Sequence, residues 1–181
     1  MDSGALGRPG TGVADTGAGS PALGEVKLEE WTKFLVAKGL RVFHEDPQSR
    51  EQLHFRFGDG RVECSLFTVL IPLGLAGKYF IVMRFYVLPG DAPMLLPNPF
   101  MKQLEIEIFT SQDKMYSQRL KTDIPMTVTR TGHYQWILDD FPPDFRWTPE
   151  MVPVIEEEDF QIFCSPEVAS SLTECNRSPL K

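Results

Sequence analysis

A metal centre or a nucleophilic dyad in this chain would have to be assembled from three histidines, three cysteines and the carboxylates. A metal ion needs two or more such ligands converging on one point, and a reactive thiol needs a base beside it. His44 and His133 belong to no His/Cys spacing motif. His54 and Cys64 flank Gly58-Asp59-Gly60-Arg61, a tight-turn signal for a β-hairpin. A turn centred on Asp59-Gly60 pairs Phe57 with Val62, Phe55 with Cys64 and Leu53 with Leu66, which puts all six on one face. That register buries Cys64 and sends His54 to the opposite face. It predicts neither a metal site nor an active thiol.

Glu105 and Glu107 are two apart in an alternating stretch, so their carboxylates are expected on one strand face. Glu105-Ile106-Glu107-Ile108 is loosely similar to the acidic strand of some jelly-roll glycosidases, where paired carboxylates cleave the glycosidic bond. Such enzymes need a further acid on the same face, and Phe109 interrupts the acidic alternation here. A solvated outer face is the better reading. The chain has no G-x-S-x-G elbow and no phosphate-cradling glycine loop. The expectation is a protein that is not an enzyme and uses no cofactor.

The net charge of −7 is concentrated in one place. Residues 139–159 carry eight acids (Asp139, Asp140, Asp144, Glu150, Glu156, Glu157, Glu158, Asp159) against Arg146 alone. The same stretch holds Phe141, Phe145, Trp147 and four prolines, a composition that resists ladder pairing and predicts an extended strap. Within it, Val152-Pro153-Val154-Ile155 runs into Glu156-Glu157-Glu158-Asp159. This resembles a SUMO-interacting motif, whose apolar strand adds to a partner's sheet edge while its acids meet a basic rim. The candidate partner-binding set is therefore Phe141, Phe145, Trp147, Val152, Val154, Ile155 and the four acids after it. The competing reading is that Val154 and Ile155 anchor the strap to the body of the protein. Elsewhere acids and bases balance, so no basic cluster suited to nucleic acid exists.

These groups must be positioned by a mainly β framework. Glu25 to Lys38 reads as an amphipathic helix with Leu28, Trp31 and Leu35 on its buried side and Gly39 as its stop. From Gln52 the apolar period changes to two. Leu66–Leu73 and Tyr79–Leu88 are apolar on both faces, as in strands covered on two sides. A low-charge window of membrane-spanning length, 64–83, takes in the first run and the start of the second, but Pro72, Gly74, Gly77 and Lys78 at its centre favour two strands and a turn. A Pro-rich loop over 89–99 precedes an alternating strand at 103–110. Further strands are expected near 116–122, 126–130, 133–139 and 160–164. The predicted fold is an antiparallel β-sandwich, or partly open barrel, of about seven or eight strands with one N-terminal helix.

At 181 residues the chain fits a single domain, 25–164, between an unstructured Gly/Ala/Pro-rich head at 1–24 and a polar tail at 165–181. An odd cysteine count and no apolar leader predict an intracellular protein, in cytoplasm or nucleus. Ser20, Thr148, Ser165 and Ser178 each precede proline, and Ser178-Pro179-Leu180-Lys181 is similar to a cyclin-dependent kinase site. Two functions are open: a non-catalytic interaction or adaptor module that docks through its acidic strap, and a β-barrel carrier of a small apolar ligand.

Overall fold

The computed structural model describes residues 6–144, 155 and 159–164. Its principal sheet begins in the expected head. β1 (Thr11–Asp15) and β2 (Ala22–Gly24) precede helix α1 (Glu25–Ala37). β3 (Phe43–His44), β4 (His54–Arg56) and β5 (Val62–Cys64) are short, whereas β6 (Phe67–Leu75) and β7 (Tyr79–Leu88) are long. β8 (Leu95–Pro97) leads into helix α2 (Asn98–Gln103), followed by β9 (Ile106–Phe109) and β10 (Lys114–Ser117). β11 (Thr122–Asp123), β12 (Met126–Val128), β13 (Tyr134–Ile137) and β14 (Phe160–Cys164) complete the order.

The protein is mainly β, but its large sheet is mixed rather than antiparallel. Strands run in the order β12-β13-β1-β8-β2-β7-β6-β3, with β14 also on β7. The parallel pairs are β1 with β8 and β2 with β7. Both depend on residues expected to be unstructured. Gly12 and Gly24 mark close approach rather than freedom. A Cβ on Gly12 would stand 2.8 Å from Leu138 Cδ1, and one on Gly24 would collide with the Gly90 carbonyl. Residues 11–13 and 21–24 are therefore buried within the fold.

α1 forms as its sequence dictates. Leu28, Trp31 and Leu35 are buried, Phe34 meets Trp31 edge-on, and Gly39 follows with a left-handed φ of 75°. β6 and β7 pair through nine residues, from Phe67↔Val87 to Leu75↔Tyr79, around the turn at 76–78. The low-charge window is thus a β-hairpin, and no helix among the described residues is long and apolar enough to cross a membrane. β14 begins and ends where the sequence places it.

Two expected strands are corrected. The stretch 103–110 is divided: Asn98–Gln103 is helical, opened by Pro99 in its first turn. Glu105 then turns with a φ of 51°, and only Ile106–Phe109 is extended. Glu105 and Glu107 therefore do not share a strand face. The stretch 116–122 is broken in the same way, by a turn in which Lys121 has a φ of 51°.

Candidate functional site

The β6–β7 pair is covered on both faces, and the two covers differ. Alternation along β7 sends Tyr79, Ile81, Met83, Phe85 and Val87 into the main core beside Trp31 and Trp136. Phe80 and Val82 point the other way and form a second cluster with Leu70 and Ile155, edged by Leu40, Phe43 and Phe141. Two of its members, Phe141 and Ile155, belong to the acidic strap. These two packed covers account for the apolar character of both faces.

Gly74 on β6 seats the start of the strap. Its N–H donates to the Leu138 carbonyl at 2.8 Å, it bridges to Asp139, and a Cβ there would lie 2.6 Å from the Phe141 nitrogen. The Gly77 N–H donates to the Asp140 carbonyl at 3.0 Å. Phe141 then packs on Phe80 with ring centroids 5.8 Å apart. Gly74 thus lets an acidic, proline-bearing chain lie against a strand that a side chain would hold away, and the Gly77 turn adds a backbone bond.

The other end of the strap is held by a buried cation. Arg84, with its side chain fully buried on β7, donates through Nε and Nη2 to both carboxylate oxygens of Glu45 at 2.8 Å. Its Nη1 reaches Asp159 Oδ1 at 3.4 Å, and Nη2 also donates to the Ile155 carbonyl, which accepts from Arg50 as well. The Thr68 hydroxyl donates to Glu45 at 2.7 Å. Bidentate pairing with several acceptors is what makes a buried guanidinium tolerable. Burial pushes the Glu45 carboxyl up, but Arg84 and Thr68 outweigh it and hold it below the ordinary carboxylate range. At Asp159 burial prevails over Arg84, and the carboxyl is held above that range.

Along β7, the edge away from β6 changes partner at Arg84. β14 pairs with Tyr79–Met83, the Arg84 N–H donates to the Asp159 carbonyl, and β2 takes over at Tyr86. The head and the C-terminal segment therefore meet on one strand, on either side of the buried arginine. Arg84 and Glu45 escaped the sequence reading, although a lone arginine in a ten-residue apolar strand is a signal. A charge there must find a partner.

Of the candidate binding residues, the structure brings together Phe141, Ile155 and Asp159 on one face. Val152, Val154, Glu156, Glu157, Glu158, Phe145 and Trp147 lie outside the described residues, as do Thr148, Ser165 and Ser178. Ser20 is half-buried in the bend before β2, and the Pro21 carbonyl accepts the Tyr86 N–H at 3.0 Å, so this Ser-Pro pair belongs to the folded sheet.

The small hairpin carries the clearest correction. Its pairs are His54↔Cys64, Phe55↔Glu63 and Arg56↔Val62, one residue away from the expected register. The turn is longer than Asp59-Gly60 alone: the Phe57 N–H donates to the Arg61 carbonyl, and Gly60 adopts a φ of 86°. A one-residue slip exchanges the faces. Cys64 is consequently exposed, with Sγ 3.1 Å from His54 Nδ1. Phe55 is only half-buried, against Tyr86. Among the described residues no group of three or more His, Cys, Asp or Glu could hold a metal ion.

Compared with protein-family models, with curated proteins and with solved structures, the chain matches none. The functional reading rests on its own geometry.

Proposed function

We propose that the protein is a non-catalytic interaction module whose acidic segment 139–159 docks on a partner protein with a basic surface. The observation that carries this reading is the anchoring of the segment at both ends. Asp139 to Phe141 sit on Gly74 and Phe80, while Ile155 and Asp159 are held by Arg84. Glu156, Glu157 and Glu158 stand in sequence between those last two anchors. Anchoring lowers the entropy lost when a charged segment is ordered against a partner.

A SUMO-type strand addition needs the Ile155 side chain and backbone to be available to the partner. Here that side chain is buried and its carbonyl is taken by two arginines. This supports charge-led docking over strand addition. The carrier alternative draws no comparable support, because among the described residues the hydrogen-bonded path of the large sheet ends at β12 and β3.

The test compares full-length protein with a variant carrying Glu156→Gln, Glu157→Gln and Glu158→Gln. Partners captured by the first and lost by the second, with association slowing as salt rises only for the unmodified chain, would support the reading. Identical partners and identical salt response in both would overturn it.

A further inference from the structure

The hairpin β4–β5 presents a nucleophile and a base side by side in solvent. His54 and Cys64 are directly opposite each other, both exposed, and Cys64 Sγ stands 3.1 Å from His54 Nδ1 and 3.9 Å from Nε2. In the tautomer with its ring proton on Nε2, Nδ1 accepts the Sγ–H. Alternation places Arg56 and Val62, the next pair toward the turn, on the same face. Arg56 is exposed and diagonal to Cys64, within reach of a group bound at the sulfur. The other nearby guanidinium, Arg61, is already engaged by Asp59 at 2.6 Å and Glu63 at 3.5 Å.

A thiol with an adjacent base and open access is the arrangement that reactive cysteines use. The hairpin forms a two-stranded sheet apart from the large one.

We propose that Cys64 is a modification site that undergoes thiol–disulfide exchange with small acidic disulfides such as oxidised glutathione, with His54 as its base. The Cys64 Sγ–H proton passes to His54 Nδ1, and Sγ attacks one sulfur of the small disulfide. A new S–S bond forms to Cys64 as the old S–S bond breaks, and the departing thiolate takes the proton from His54. Cys64 is oxidised and the small disulfide is reduced to one bound and one free half, so no further oxidant is required. Arg56 meets a carboxylate of the bound half. Excess small thiol reverses the reaction by the same route.

The experiment follows, by peptide-resolved mass spectrometry, the rate at which Cys64 of the full chain gains one glutathione. Wild type, His54→Gln and Arg56→Gln are compared at pH 7 and pH 10, with 2-hydroxyethyl disulfide as a neutral probe. Wild-type Cys64 should react faster in the folded chain than in the same chain unfolded in urea. His54→Gln should slow the reaction at pH 7 by about tenfold or more and leave it nearly unchanged at pH 10, where a thiol ionises unaided. Arg56→Gln should slow oxidised glutathione and spare the neutral probe. A folded-state rate no higher than the unfolded one, or a His54→Gln rate equal to wild type at pH 7, would overturn the proposal. Equal slowing of both disulfides by Arg56→Gln would overturn its acidic selectivity.

Discussion

The hairpins β6–β7 and β4–β5 differ in composition, one almost wholly apolar and the other largely polar, and they obey different rules. In β6–β7, nine paired residues bury apolar side chains on both faces, one against the helix and the other against the strap. In β4–β5, three pairs stand largely in solvent, and the turn rather than apolar burial decides the register. Burial specifies a strand pair when both faces are covered. Where they are not, one glycine in a left-handed conformation can shift every side chain to the other face. The consequence is chemical as well as structural. The covered pair holds a buried arginine that fastens the acidic strap, and the uncovered pair exposes a thiol beside an imidazole.

The largest effect should come from the fastening. Arg84→Ala leaves Glu45 and Asp159 without their buried cation, which should cost about 3–5 kcal/mol, read as a lower urea midpoint with an unchanged slope. The two hairpins should then separate cleanly in the core. Phe80→Ala, fully inside the second cluster, should cost about 3–5 kcal/mol. Phe55→Ala, half-buried, should cost no more than about half of that. Equal losses in thermal melts would mean that the small hairpin is packed as tightly as the large one.

Titration should distinguish the two carboxylates around Arg84. Glu45 is held low, so the stability it contributes is present above the ordinary carboxylate range and is lost as pH falls through its folded value. Asp159 is held high, so its contribution is present below that range and is lost as pH rises through its folded value. Glu45→Gln should therefore lower Tm at neutral pH and flatten the loss on acidification. Asp159→Asn should change neutral Tm little or raise it. Melts of both variants across the acid range check the sign. The smallest effect belongs to the turn: Gly60→Ala, at a φ of 86°, should cost about 1 kcal/mol and lessen the His54–Cys64 contact. Histidine and cysteine NMR shifts would report that change.

Much of the framework is legible in the residues themselves. The 3.6-residue spacing of Leu28, Trp31 and Leu35 and the two-sided apolar runs of β6 and β7 translate directly into buried positions, and the alternation of Phe160 and Ile162 into one buried and one half-buried residue on the core. What was not legible has physical causes. Gly12 and Gly24 look like flexible punctuation in a sequence and are close-contact positions in a sheet, so the sequence of 1–24 suggests an unstructured head where two strands lie. Non-Gly residues in left-handed turns, Glu105 and Lys121, divide stretches whose alternation is otherwise strand-like. At the candidate site the apolar anchors could be named from sequence, as the competing reading of Ile155 shows. Their receptor could not, because Glu45, Arg84 and Asp159 are brought together only by the pairing of β3 with β6 and of β7 with the C-terminal segment.

The account divides the strap into anchors that serve the fold and acids that serve a partner. Measuring Tm and partner capture on two variants of the full chain tests that division directly. Ile155→Ala should lower Tm by several degrees, because it empties part of the second cluster. The variant with Glu156, Glu157 and Glu158 changed to Gln should keep the wild-type Tm and lose its partners. An acid-swapped variant that melts early yet captures the same partners, with an Ile155→Ala variant that melts normally and captures none, would contradict it.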